Sequence, residues 1–280
     1  MAILASAAYD AGATIPDLLV VRFLLAAVGF WALVRLTRAA VPAGLLSRKM
    51  LALGAIGYSA QAALFFAAVS RLDAALAALL LYLYPFLVFA ISVALGRERL
   101  TTRRVIPLVA AGAGVMLVLG AGAGGSEIDL LGVACAIGAA LVYTGYILVA
   151  DGLVADSDPL AVSALAMTGA AATCVAAGLA TGSLSFEIAP SGWLWLLILA
   201  LGSTVVGVAA FFSGLRLVGP STAAIVSTAE PVVTVALAFA LLGEHLTGTQ
   251  LAGGAAVLAS VVLLQRSPAV SVAFDASPAH

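Results

Sequence analysis

Charge is what this sequence has least of. Only 9% of its 280 residues are Asp, Glu, Lys or Arg, and 64% are hydrophobic. A soluble domain carries roughly 25% charged residues. So few charges cannot cover a fold of this size against water, which excludes an ordinary soluble domain and leaves the bilayer as the fitting solvent. A formal net charge of −1 excludes a large basic face, so no nucleic-acid partner is expected. Cysteine is scarce too. Cys135 and Cys174 both lie in apolar runs, too few for a disulfide or metal framework, and read as small apolar residues. The two histidines, His245 and His280, stand at the edges of runs, so there is neither a Ser/His/Asp set nor a metal cluster. Gly122 to Gly125 is glycine-rich, but no Gly-Lys-Ser/Thr follows, and it reads as a link instead of a phosphate loop. No enzymatic activity, cofactor or metal is expected. Any transport would have to run on a gradient.

Long apolar runs are what the sequence does have. A spanning helix needs about 20 apolar residues. Nine runs qualify: 17–36, 50–69, 74–95, 104–121, 130–150, 159–180, 192–212, 219–242 and 249–265. Short segments with Pro, Gly, Asp or Arg separate them, which predicts antiparallel neighbours. The apolar stretch Met1 to Ala8 is too short to span, and no Lys or Arg precedes it, so it lacks the basic region of a signal peptide.

An internal repeat accounts for that stub. Phe65-Phe66 matches Phe211-Phe212, Pro85 matches Pro231, and Glu98-Arg99-Leu100-Thr101 matches Glu244-His245-Leu246-Thr247, all at an offset of 146 residues. Pro16 and Pro159 match at 143. Run 130–150 then has its counterpart ending near residue 7. The expectation is a first helix cut short, either because the true start lies upstream or because this is a nine-helix variant with a stub. The residue ranges expected for the parts are 1–125, 126–266 and a tail at 267–280. With the amino terminus inside, ten of the twelve basic residues fall on inside loops, Arg22 and Arg71 being the exceptions. Both termini are therefore expected in the cytoplasm of a plasma-membrane protein. Five helices per half is an odd number, so the second repeat must be inverted relative to the first, an architecture of transporters with a midplane site.

The order of these motifs resembles the EamA-type branch of the drug/metabolite transporter superfamily. The first copy has Arg22-Phe23-Leu24-Leu25-Ala26-Ala27, then Tyr82-Leu83-Tyr84-Pro85 and Gly96-Arg97-Glu98-Arg99-Leu100. The second has Thr228-Ala229-Glu230-Pro231-Val232 and Leu242-Gly243-Glu244-His245-Leu246-Thr247. The resemblance covers nearly the whole chain and implies an all-α bundle of two inverted five-helix repeats, a ten-helix secondary transporter, often an exporter of amino acids or related metabolites. Arg97, between the usual Gly and Glu, departs from the pattern.

Charge deep in a spanning helix points to function. Glu230 lies about twelve residues into run 219–242. Pro231 beside it would open the helix, and desolvation would favour the neutral carboxyl. Two readings stand: a substrate amine or proton site, or a structural carboxyl. Arg22 either snorkels to the interface or faces a central cavity, pairing with Glu230 or a substrate carboxylate. Pro85 is the mate of Pro231 and is expected to kink its helix, with Tyr82 and Tyr84 lining the cavity or anchoring at the interface. Tyr58, Gln61, Tyr143 and Tyr146 put polar groups in apolar helices, for interhelical bonds or for substrate. Glu98 and Glu244 read as caps or interfacial charges. Gly169, Thr173 and Ala177 form a small-residue ridge, as do Ser203 and Gly207. The expected partners are lipid, a small-molecule substrate and protons, with the chain a monomer or homodimer. A lipophilic-cation exporter and a non-transporting membrane scaffold remain the alternatives.

Overall fold

A computed structural model describes residues 1–72, 74–120, 129–155, 157–230, 232 and 247–265. Pro231, Glu244, the glycine-rich link and the tail from 267 lie outside them. The described residues form helices and no strand. A short α1 (Ala2–Asp10) leads into α2 (Ile15–Thr37). Next comes a continuous span of α3 (Leu45–Ala52), a π segment (Leu53–Tyr58) and α4 (Ser59–Val69). A broken span follows, α5 (Ala74–Leu81) and α6 (Tyr84–Ala94), then α7 (Thr102–Gly120). The second half has α8 (Leu130–Val154) and α9 (Pro159–Thr181). Its next span comprises α10 (Pro190–Ile198), a second π segment (Leu199–Val206) and α11 (Gly207–Val218). The last described helices are α12 (Pro220–Ser227) and α13 (Gly248–Gln265). Six stretches, Ile15–Thr37, Leu45–Val69, Leu76–Ala94, Leu130–Val154, Pro159–Thr181 and Pro190–Val218, are long and apolar enough to cross a bilayer. The described residues thus follow the apolar runs closely, as a multi-pass membrane bundle.

Local chemistry starts and stops these helices. Thr14 and Asp17 form a reciprocal capping box with Pro16 in the first turn of α2, satisfying amides that lipid could not. Asp129 and Asp158 cap α8 and α9 through their carboxylates. Asp17 does more than cap. It is fully buried and accepts from Ser185 N at 3.1 Å, Ser185 Oγ at 3.0 Å and Phe186 N at 3.3 Å. One carboxylate therefore pins the loop between α9 and α10 onto the start of α2.

The internal repeat reappears as geometry. The two π segments begin at Leu53 and Leu199, one repeat offset of 146 apart. The chain breaks at Tyr82 and Leu83 before α6, and turns at Thr228 before Glu230, again one offset apart. Pro85 consequently does not kink a continuous helix. It sits in the first turn of α6, where a proline loses no hydrogen bond.

Tight packing runs through Gly54 and Gly169. A Cβ on Gly54 would meet the Ala166 carbonyl oxygen at 1.7 Å, and one on Gly169 the Leu51 carbonyl oxygen at 2.0 Å. Here α9 lies directly on the first π segment, the close approach that small residues permit in lipid. The small-residue ridges are otherwise not seams. Thr173 and Ala177 are exposed, and nothing lies within 4 Å of a Cβ on Gly207. The seam follows Ala166 and Gly169, because only that face meets the glycine-bearing π segment. Gly54→Ala is expected to destabilise the protein by about 1–3 kcal/mol, the usual cost of overpacking. Gly145→Ala, whose Cβ meets nothing within 4 Å, should unfold at the wild-type temperature. Thermal unfolding of both variants in detergent checks this.

Candidate functional site

Arg22 stands seven residues into α2, about 10 Å along the helix. It is 2% exposed, so it does not snorkel. Its Nε donates to Thr204 Oγ1 at 2.8 Å and its Nη2 to the Tyr58 hydroxyl at 2.9 Å, with a longer contact from Nη2 to Met1 Sδ at 3.5 Å. The guanidinium carbon lies 5.2, 5.6 and 5.2 Å from the ring centres of Phe23, Tyr58 and Phe66. Aromatic faces attract a cation at that range. Tyr58 and Thr204 end or nearly end the two π segments and are separated by 146 residues. One guanidinium therefore joins equivalent points of the two repeats, at local π geometry of the kind that clusters at functional sites.

From Arg22 a ladder of rings crosses the bundle. Tyr58 stacks on Tyr146 at 5.2 Å, Tyr146 on Tyr143 at 6.1 Å, and Tyr143 meets Tyr84 edge-on at 4.8 Å. Tyr84 then lies 6.1 Å from Tyr82, and the Tyr82 hydroxyl hydrogen-bonds the Glu230 carboxylate. Five of the six tyrosines are thus strung between a cation and an anion, backed by Phe211 and Phe212.

Not every expectation survives this geometry. Glu230 has an exposed side chain. It stands two residues after the turn at Thr228. Gln61 is buried one turn beyond Tyr58, and no hydrogen bond or ring contact among the described residues ties it to the ladder. Glu98 caps nothing; it pairs with Arg104 at 2.9 Å, because it falls after α6 has ended. The other ion pairs among the described residues are Arg71–Asp129 at 3.1 Å and Arg97–Asp151 at 3.9 Å, so none engages Arg22. Asp129 lies outside the spans. Its bond from Arg71, reinforced by the amides of Gly132 and Leu131, holds its carboxyl below the usual range. No group of three or more His, Cys, Asp or Glu among the described residues could hold a metal.

Thr204 was not singled out from the sequence, although the repeat offset maps it onto Tyr58. The crosslinking role of Asp17 carried no signal at all. A lone Thr, Ser or helix-capping Asp looks the same whether or not a distant segment comes to meet it.

Comparison with known proteins agrees with this architecture. The sequence profile of the EamA-like transporter family matches residues 2–120 and again residues 130–266. The chain belongs to the EamA-like transporter family. Its two matched stretches bracket the two halves that share the π segments and broken helices. This EamA-like chain is 26% identical over 257 residues to the uncharacterised transporter YcbK of Bacillus subtilis (strain 168), covering 88% of this chain and 82% of that one. It is 28% identical over 250 residues to an uncharacterised transporter of Archaeoglobus fulgidus, covering 89% and 87%. A solved crystal structure superposes with a TM-score of 0.79 at 20% identity, covering 95% of this chain and 94% of the other. That likeness concerns the fold. As a member of this family within the drug/metabolite transporter superfamily, the protein is a transporter.

Proposed function

We propose that the protein exports a small polar metabolite, an amino acid first among candidates, by alternating access across the plasma membrane, with both termini cytoplasmic. The carrying observation is the ladder itself: a buried guanidinium at one end, an exposed carboxylate at the other, and tyrosines between. A zwitterion presents the complementary pair. Its carboxylate would take the Arg22 fork, since a guanidinium recognises a carboxylate through paired N–H donors. Its ammonium group would take Glu230 and the tyrosine faces. The broken helices supply the moving part. The Tyr84 hydroxyl reaches the Ala224 carbonyl at 3.4 Å, so the two repeats meet across interrupted helices, where unpaired backbone can line a cavity. Glu230 is also the group best placed to exchange a proton with the substrate.

A second reading has an observation of its own. A carboxylate beside Tyr82, with Tyr84 and Tyr143 stacked behind it, would equally serve a lipophilic cation. Proteoliposomes loaded with a mixed pool of amino acids, small metabolites and lipophilic cations separate the two. Selective loss of zwitterions, accelerated by a pH gradient, is the expected result. Selective loss of cations establishes the second reading. Retention of every solute by well-folded protein overturns both.

A further inference from the structure

A groove of about 440 Å³ runs between two antiparallel spans. One wall is Lys49, Ala52, Leu53, Ile56 and Gly57; the other is Val142, Gly145, Tyr146, Val149 and Leu153. Every lining side chain is apolar except Lys49 at one end and the Tyr146 hydroxyl. Ile56 and Val149 are 73% and 55% exposed, which in a membrane protein is the lipid-facing surface. Eight residues from Lys49 to Gly57 and eleven from Val142 to Leu153 give a length of about 12–16 Å at 1.5 Å per helical residue. Half of a hydrocarbon core about 30 Å thick is about 15 Å.

We propose that this groove is a binding site for one anionic phospholipid of a single leaflet, its acyl chain along the groove and its phosphate on Lys49. Length matches one leaflet, and lining matches a hydrocarbon chain. Lys49 supplies the sign. It is exposed, and the ion pairs among the described residues leave it unengaged. The nearest acid on the facing helix, Asp151, is held by Arg97 at 3.9 Å, which keeps its charge from repelling a phosphate. Basic pockets between spanning helices are a recurrent means of binding acidic headgroups. The groove exists because two glycines withhold side chains from it. A Cβ on Gly145 would meet nothing within 4 Å, and one on Gly57 would meet only side-chain atoms, the nearest on Tyr146 at 3.2 Å.

The groove also touches the ladder from behind. Tyr146 lines it, stacks on Tyr58 at 5.2 Å, and buries a hydroxyl that has no hydrogen-bond partner among the described residues. An acyl chain packed here would press on the ring that backs the Arg22 ligand, and so would join lipid composition to the centre of the bundle.

Native mass spectrometry of the detergent-purified protein with phosphatidylglycerol or phosphatidylcholine of identical chains tests binding without requiring transport, so its outcome is independent of the substrate reading. The wild type is expected to hold one phosphatidylglycerol about fivefold more tightly, the factor one lysine gives near an anionic surface. Lys49→Ala should equalise the two lipids. Gly145→Leu, whose Cβ meets nothing within 4 Å and whose longer side chain extends into the groove, should displace both while thermal unfolding stays at the wild-type temperature. Equal retention of both lipids by the wild type overturns the proposal. So does an undiminished preference in Lys49→Ala, or undiminished retention in Gly145→Leu.

Discussion

Arg22→Lys should reduce transport about 10- to 100-fold although it keeps the positive charge. The guanidinium reaches Thr204 from Nε and Tyr58 from Nη2, two directions at once. A lysine is a single point donor on a flexible stem and cannot hold both. A hydrogen bond to a charged group contributes about 1.5–3 kcal/mol, and each 1.4 kcal/mol is about a factor of ten, so losing one of the two accounts for a loss of that size. Arg22→Ala should abolish transport. It also leaves the Thr204 and Tyr58 hydroxyls facing a void, so thermal unfolding must accompany the flux. Two milder variants separate the roles. Tyr58→Phe and Thr204→Val each remove one bond and keep the guanidinium. If Arg22 takes the substrate carboxylate, an amino acid amide should be a poor substrate for the wild type, and Arg22→Lys should raise KM more for the acid than for the amide. Wild-type flux in Arg22→Lys and Arg22→Ala would show that the residue only joins the repeats.

The second large effect is expected at Glu230. Glu230→Gln keeps the size of the side chain and its capacity to accept the Tyr82 hydrogen bond, and removes the charge and the titratable proton. Net efflux driven by a pH gradient should fall about 100-fold, the order by which a positioned proton-transfer group contributes to a rate. The accompanying measurement is exchange of labelled for unlabelled substrate without a gradient. Exchange that persists assigns Glu230 to proton coupling. Exchange that also fails assigns it to the substrate ammonium. Loss of cation efflux with zwitterion efflux intact favours the lipophilic-cation reading. Full gradient-driven efflux in Glu230→Gln would remove the residue from the mechanism.

Both expectations begin from residues visible in the sequence, and the reason is the bilayer. Lipid makes a buried charge in an apolar run expensive, so Arg22 and Glu230 stand out against sixty-four per cent hydrophobic background in a way that no Asp or Arg of a soluble protein would. The same solvent makes span boundaries legible, because each backbone amide must be satisfied within its own helix. The runs 17–36 and 159–180 fall inside Ile15–Thr37 and Pro159–Thr181. The tyrosines were legible as polar interruptions, and the repeat offset already related Pro85 to Pro231.

Hydropathy carries no record of rotation about a helix axis, and that is where the sequence stopped. Whether Arg22 reached outward to the interface or inward to Tyr58 depended on which face of α2 met the second π segment, a matter of packing between residues 182 apart. The close approach of α9 on Gly54 depended on the neighbour's backbone. The sequence by itself determined that this chain lives in a membrane, that its halves repeat, and which few polar groups are paid attention by a low-dielectric interior. Only the tertiary structure decided that five tyrosines from three spans line up between Arg22 and Glu230, because side chains on different helices find one another through packing geometry, which an apolar run does not encode.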